Sequence, residues 1–312
     1  MIKIKFECWW TSSADINNRI LNQFIPEKDL ETYEIVDSNP DFTIVLGRTE
    51  WDKIETPKER TFYFSQEPLW SPNQPKDGIH NYCSKIFISD KRDYPNREEY
   101  IETFLPMLYA GRGEKDDRPE YDWTKKIQNK NFVKNKSVSI IVTNNASVHS
   151  HQIANPETSI INYTERTRFG NKLSENENID VYGTWWQNNG KNVKGEIFSK
   201  HLGLDEYKFS VACENSIQKN YVSEKFWDVV LTEGVPIYMG CTNISEYIPE
   251  NCFISLNGKT MDDMVEVVTD VVNNSEHYYK KYINNILKLK QEFFINPNYN
   301  LWEKIKQEIK IL

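Results

Sequence analysis

The amino-acid sequence predicts an α/β fold, and three observations support that class. Short apolar segments of strand length alternate with polar segments of helical pattern along most of the chain. The chain has 312 residues, enough for about two domains at roughly 150 residues each. Aromatic residues make up 13% of the chain, so bulky rings can build much of the core and a mainly disordered chain is not expected.

The first third of the chain contains the elements of one α/β sheet. Alternating apolar and polar residues over Ile2–Cys8 indicate a strand, and Ala14–Phe24 has a helical pattern. Three apolar runs follow that are typical of buried strands: Phe42–Gly47, Thr61–Phe64 and Lys85–Ser89.

A change of composition predicts the boundary between two domains. From Ala110 the chain becomes rich in glycine and charged residues, a pattern typical of a linker. We therefore expect an N-terminal domain over residues 1–115, a linker over 116–131, a C-terminal domain over 132–290 and a final helix over 291–312.

The α/β pattern resumes after the linker. The predicted strands are Val138–Val142, Ile179–Gly183, Tyr207–Cys213 and Val235–Gly240, and the predicted helices are Arg166–Leu173 and Glu224–Glu233. Gly234 fits the left-handed position that commonly follows a helix.

The C-terminal region is amphipathic. One helical pattern begins at Tyr279, and a second follows Pro297 with these residues on one face: Trp302, Ile305, Ile309 and Leu312. We expect the final helix to pack on the N-terminal domain. The alternative is weak attachment to a membrane surface through the basic residues of this region: Lys280, Lys281, Lys288 and Lys290.

Charge and apolar patterning exclude several classes of function. The net charge is −8, which argues against nucleic acid as the ligand. No run of 18 apolar residues predicts a transmembrane helix, and Met1–Phe6 alternates like a strand rather than a signal peptide. The five cysteines are scattered, which indicates reduced thiols. We therefore expect a cytoplasmic protein, with peripheral attachment at a membrane as the alternative.

Residues 207–254 combine a strand, a polar loop and a helix in the order that α/β proteins use to bind anions. Glu214 and Asn215 follow the strand, Ser223 is a suitable N-cap, and Glu224 and Lys225 occupy the first helical turn. A carboxylate there can accept hydrogen bonds from a ribose diol, and an ammonium group can neutralise a diphosphate. The alternative is that Glu224 complements the helix dipole and Lys225 is solvated.

This segment resembles the signature region of the α1,3/α1,4-fucosyltransferases, glycosyltransferase family 10. The residues that match, in the family's order and spacing, are Tyr207-Lys208-Phe209, Glu214-Asn215-Ser216, Tyr221-Val222-Ser223-Glu224-Lys225, Gly234-Val235-Pro236-Ile237, Gly240, Pro249 and Phe253-Ile254. Cys213 and Cys252 stand where the family usually has Phe and Ser, and we interpret both as packing substitutions. The resemblance covers about residues 137–256 well and the first domain only in outline.

The resemblance implies a GT-B architecture, in which two Rossmann-like domains face a central cleft and the C-terminal domain binds GDP-fucose. It further implies that Glu224 holds the ribose, while Lys225, Asn215 and Tyr221 lie around the diphosphate. Glu214 is implied to order the donor loop. Its alternative role is that of a catalytic carboxylate in hydrolysis.

Outside that segment the resemblance implies two further site residues. Arg166 matches the family's diphosphate arginine better than Arg168 does, and the alternative is a surface arginine. Glu67 follows a strand at a place comparable to that of a family glutamate proposed as general base. The alternative is an exposed turn residue before Pro68.

The expected reaction is inverting transfer of fucose from GDP-fucose, or a related nucleotide sugar, to a hydroxyl of an oligosaccharide acceptor. The chain has no Asp-x-Asp motif, so we expect no metal and no other cofactor, with Arg166, Lys225 and the helix N-terminus meeting the diphosphate charge. His149 and His151 lie without a Cys or carboxylate cluster, so we expect no metal site there. The alternatives are a GT-B transferase for a different nucleotide sugar and a non-catalytic glycan-binding protein.

Overall fold

The chain forms two compact units, each built on a six-stranded sheet. The computed structural model describes residues 1–8, 12–23, 25–47, 49–68, 71, 78–104, 127, 130–143, 160–161, 163–184, 186, 192–197 and 199–311. Unit 1 comprises Met1–Lys126, Lys219–Tyr221 and Asn296–Leu312, and unit 2 comprises Ile127–Gln218 and Val222–Ile295. The predicted linker falls mostly outside the described residues.

Strands and helices alternate through the described residues, as the sequence predicts. The strands are β1 (Ile2–Cys8), β2 (Tyr33–Ile35), β3 (Phe42–Leu46), β4 (Thr61–Phe64), β5 (Lys85–Ile88), β6 (Tyr100–Glu102), β7 (Lys136–Ile141), β8 (Ile160–Ile161), β9 (Ile179–Tyr182), β10 (Val193–Gly195), β11 (Tyr207–Cys213), β12 (Ser216–Ile217), β13 (Val235–Met239) and β14 (Ile254–Ser255). The helices are α1 (Ser13–Gln23), α2 (Tyr163–Leu173), α3 (Glu224–Leu231), α4 (Met261–Asn273), α5 (Ser275–Phe293) and α6 (Leu301–Lys310).

The sheet of unit 1 is parallel throughout, with the strand order β2-β1-β3-β4-β5-β6. The inner strands β3 and β4 are buried along their whole length, which accounts for their continuous apolar runs. In a parallel sheet the carboxyl ends of all strands meet at one edge. Gly47, Ser65 and Ser89, which follow β3, β4 and β5, therefore lie along that edge.

The C-terminal helix α6 is part of unit 1. Asp29 Oδ2 accepts hydrogen bonds from Trp302 Nε1 (2.8 Å) and from the Lys306 ammonium (2.6 Å). Burial alone would raise the pKa of Asp29, but the hydrogen bonds from Lys306 and Trp302 outweigh it and lower that pKa. The Trp302 ring also meets Tyr33 edge-on at 5.3 Å, so apolar and polar contacts together hold the helix.

Unit 2 has a second parallel sheet, with the order β10-β9-β7-β11-β13-β14. Strand β11 lies inside this sheet and is buried at all seven positions. Helix α3 packs on the neighbouring strand β13 through Phe226, whose ring meets Trp227, Tyr238 and Phe253 edge-on at 5.3, 5.2 and 6.1 Å. This aromatic cluster fixes the helix against the strands that flank the candidate site.

Helix α3 ends two residues earlier than the sequence predicts, and Glu233 rather than Gly234 has the left-handed backbone (φ 64°). The Glu233 carboxylate accepts hydrogen bonds from the Lys290 ammonium (2.8 Å) and the Phe132 N–H (3.2 Å). The Lys290 ammonium also donates to the Lys130 carbonyl (3.0 Å). These contacts offset the roughly 1–2 kcal/mol that a left-handed non-glycine residue costs.

Attachment of this region to a membrane through Lys290 would require its ammonium group to face solvent. Because of these contacts, it does not. Its side chain is 2% exposed, whereas Lys280, Lys281 and Lys288 are exposed. In the described part of the chain, no helix combines the length and the apolar character needed to span a membrane.

Several short elements were not predicted. Strands β2, β6, β10 and β14 have two or three residues each, too few for a periodic pattern. Helix α4 was also missed, although Thr260 and Asp263 form a capping box at its start.

The buried ion pair in unit 2 leads to a stability prediction. Lys290→Met should lower the free energy of unfolding by about 3–5 kcal/mol, because the Glu233 carboxylate would stay buried without its cation. Lys288→Met is the matched control on the same helix, since its side chain is 79% exposed and lies 3.9 Å from Glu292. The control should change stability by less than about 0.5 kcal/mol. Denaturant titration measures both, and equal losses would contradict a buried role for Lys290.

Candidate functional site

A buried carboxylate closes the loop between β11 and α3. Glu214 follows β11 directly and is fully buried. Its Oε1 accepts the Ser223 N–H (2.7 Å), and its Oε2 accepts the Ser223 hydroxyl (2.5 Å). A Cβ on Gly240 would lie 2.3 Å from Glu214 Cγ, so only glycine leaves room for this side chain. The loop ends are thereby fixed to each other.

The same hydroxyl caps helix α3. Ser223 Oγ accepts hydrogen bonds from the Lys225 backbone N–H (3.3 Å) and from the Lys225 ammonium (3.0 Å). The Lys225 ammonium also lies 3.2 Å from Glu224 Oε1 and 3.6 Å from Glu214 Oε2. Burial raises the pKa of Glu214, and the Glu224 charge adds to that rise, while Lys225 and the Ser223 hydrogen bonds oppose it.

Sequence reasoning missed one cation in this group. Lys200 comes from a short 3-10 turn, Lys200–Gly203, and its ammonium pairs with Asp228 and lies 3.6 Å from Glu224 Oε1. Lys200 precedes Glu224 by 24 positions and belongs to no motif, so no sequence signal linked the two.

Arg166 is buried in α2 near the carboxyl end of β11. Burial raises the pKa of the Cys213 thiol to about 12, the charges of Arg166 and Lys225 oppose that rise, and the charge of Glu214 adds to it. The three charged groups therefore lie near Cys213, the last residue of β11. Arg168 is exposed instead and pairs with Glu165 at 2.8 Å.

A two-stranded antiparallel ribbon connects these elements. Strand β8, just before α2, pairs with β12, just after Glu214 and the half-buried Asn215. The ribbon joins the start of the Arg166 helix to the loop that Glu214 closes.

Tyr221 is buried, but it belongs to unit 1 rather than to unit 2. Its two preceding residues contact the end of β5 and the strand beside it. The Asn220 amide donates to the Ser89 carbonyl (2.8 Å), and the Lys219 ammonium lies 2.7 Å from Glu102. Within unit 2 the described contacts thus bring together Arg166, Glu214, Glu224 and Lys225.

Glu67 lies in unit 1, three residues beyond β4 at the carboxyl edge of the sheet, and is half-buried. Its backbone is tied to the buried Ser65, whose hydroxyl donates to the Glu67 carbonyl (3.2 Å). The Ser65 N–H in turn donates to the Phe87 carbonyl (3.0 Å), so the turn is anchored to β5.

Among the residues that the structure describes, no three or more His, Cys, Asp or Glu side chains are grouped as a metal site would need. His149 and His151 lie outside the described residues.

Comparison with known sequences identifies the family. The family model described as "Glycosyltransferase family 10 (fucosyltransferase) C-term" matches residues 124–302. A putative fucosyltransferase-like protein of Arabidopsis thaliana is 37% identical over 96 residues, which are 30% of this chain and 17% of that protein. The Drosophila melanogaster alpha-(1,3)-fucosyltransferase B is 28% identical over 140 residues, which are 39% of this chain and 32% of that protein. The chain thus spans about a third or less of these relatives.

Comparison with solved structures supports the fold. An alpha1,3-fucosyltransferase with GDP has a TM-score of 0.53 at 16% identity, over 95% of this chain and 89% of that one. A DNA-modifying beta-glucosyltransferase has a TM-score of 0.54 at 11% identity, over 99% of this chain and 100% of that one. At these identities the similarity shows a GT-B-like fold, as the family resemblance implies. The family match covers more than half of the chain, and the protein therefore belongs to glycosyltransferase family 10, the fucosyltransferase family.

Proposed function

We propose that this protein transfers fucose from GDP-fucose to a hydroxyl of a glycan acceptor. The observation that carries the proposal is the closed loop at the end of β11, where Glu214 fixes Ser223 and Ser223 orients Lys225. Family membership supports the same chemistry, and an alpha1,3-fucosyltransferase of similar fold (TM-score 0.50, 18% identity) has been solved with GDP-fucose.

The donor would bind through charge and backbone dipoles at the start of α3. Lys225 and Arg166 would neutralise the diphosphate, helped by the N–H groups of the first helical turn. Glu224 would accept hydrogen bonds from the ribose hydroxyls, and Asn215 would complete the diphosphate site. Because these groups supply positive charge themselves, we expect donor binding and transfer without an added divalent metal.

The transfer would be a direct displacement with inversion. Glu67 would take the proton of the acceptor hydroxyl while its oxygen forms a bond to the anomeric carbon. The bond between that carbon and the diphosphate oxygen breaks, and GDP leaves with the electron pair. A positioned general base of this kind contributes on the order of 10²–10⁴ in rate.

Nucleotide binding tests the donor assignment. Calorimetric titration in EDTA should show micromolar binding of GDP and GDP-fucose and much weaker binding of UDP and CMP, because the family donor carries guanine. Preference for UDP would favour the alternative of a different nucleotide sugar. The absence of any nucleotide binding would favour a non-catalytic glycan-binding protein.

Transfer assays test the base. Glu67→Gln should reduce fucose transfer by about 10²–10⁴ and leave GDP affinity within about twofold, because the amide cannot take the proton. Glu59→Gln is the matched control, since Glu59 is exposed and lies just before β4 rather than after it. A panel of glycans can begin with 4-galactosyl-N-acetylglucosaminide, which appears in the name of a human relative that is 28% identical over 143 residues. Transfer by Glu67→Gln at the wild-type rate would refute the assignment.

Two N-cap variants test the closed loop. Ser223→Ala and Thr260→Ala each remove the hydroxyl that caps a helix of unit 2, and losing a cap costs about 0.5–2 kcal/mol of stability. Ser223→Ala should cost about 1–3 kcal/mol more, because the buried Glu214 Oε2 loses its hydroxyl donor. Only Ser223→Ala should also weaken GDP binding, by about tenfold, because the Lys225 ammonium loses its hydrogen-bond acceptor. Thermal unfolding and GDP titration measure the two effects. Equal GDP affinity in both variants would show that the cap does not orient Lys225.

A further inference from the structure

Lys200 holds a place in the candidate donor site that the family motif does not include. The Lys200 ammonium reaches the face of α3 on which Glu224 and Asp228 lie one helical turn apart. The Asp228 side chain is 3% exposed, while those of Glu224 and Lys200 are 27% and 29% exposed. One cation thus lies between a buried carboxylate and an accessible one.

Two ammonium groups contact the same oxygen of Glu224. Lys225 Nζ lies 3.2 Å from Glu224 Oε1, and Lys200 Nζ lies 3.6 Å from the same atom. A bound diphosphate would compete for the Lys225 ammonium, which is then drawn away from Glu224. Lys200 is anchored by Asp228 and does not depend on that exchange. It can therefore keep the Glu224 carboxylate in place after the donor has bound.

We propose that Lys200 is a positioning residue that holds Glu224 in the orientation needed to bind the ribose hydroxyls of the nucleotide. This inference rests on the proposed function, because it takes Glu224 as the ribose ligand. The competing role is purely structural, in which Lys200 only neutralises the buried Asp228. The two roles predict different effects of a substitution at Lys200 on nucleotide affinity. If Lys200 positions Glu224, the substitution weakens binding only of nucleotides that carry the ribose hydroxyls. If its role is purely structural, the effect does not depend on those hydroxyls.

A pair of nucleotides separates these roles. Wild-type protein should bind GDP about tenfold more tightly than 2′,3′-dideoxy-GDP, since hydrogen bonds to a carboxylate are lost with the two hydroxyls. Lys200→Met should reduce that ratio to about twofold and leave the affinity for the dideoxy nucleotide unchanged. Lys200→Arg should retain most of the ratio. Lys194→Met is the charge-matched control in the same unit, where Lys194 pairs with Asp180 at 3.3 Å, and it should retain the full ratio.

A second variant keeps the test valid if Lys200→Met unfolds. Lys200→Met combined with Asp228→Asn leaves no buried carboxylate without its cation, and it should show the same loss of ratio. The inference would be overturned if the folded variants kept the wild-type ratio of the affinities for GDP and 2′,3′-dideoxy-GDP. It would also be overturned if both affinities fell by the same factor. Equal binding of the two nucleotides by the wild type would overturn it as well, while leaving GDP-dependent transfer standing. Failure of the wild type to bind GDP at all would instead refute the proposed function, and the inference with it.

Discussion

The contact between the buried Glu214 carboxylate and Ser223 is the constraint on which the candidate donor site depends. A carboxylate in the interior must be satisfied by hydrogen-bond donors, and Ser223 supplies two of them within nine residues of chain. The loop can close this tightly because Gly240 leaves space beside the Glu214 side chain. The start of α3 is thereby fixed to the end of β11, and the first helical turn has one orientation.

Charges of alternating sign follow from that orientation. Along this part of unit 2 the order is Glu214, Lys225, Glu224, Lys200 and Asp228, with each cation between two carboxylates. When a diphosphate binds, the Lys225 ammonium would therefore exchange a carboxylate partner for a phosphate partner. The diphosphate would not meet an isolated cation. Pre-organised charge of this kind needs little rearrangement when negative charge develops on a leaving group.

The inner strands and the motif residues could be predicted from the sequence because their signals are local. Strands β3, β4 and β11 are continuous apolar runs, and Ser223 lies directly before the helix that it caps. Features set by contacts between distant residues could not be predicted. The left-handed conformation of Glu233 depends on Lys290, 57 positions away, and the local pattern indicated Gly234 instead. The roles of the site residues stay predictions.

The assignment of Asn296–Leu312 to unit 1 has a consequence for biosynthesis. Domains commonly fold as units while the chain is still being made, and the N-terminal one usually folds first. Here the order is reversed in part, because Trp302 can contact Asp29 and Tyr33 only after the residues of unit 2 have been synthesised. Unit 2 has all of its residues by position 295, so unit 1 is completed after unit 2. Until helix α6 has been synthesised, the sheet of unit 1 lacks this helix. Chaperones would find the sheet exposed during that interval.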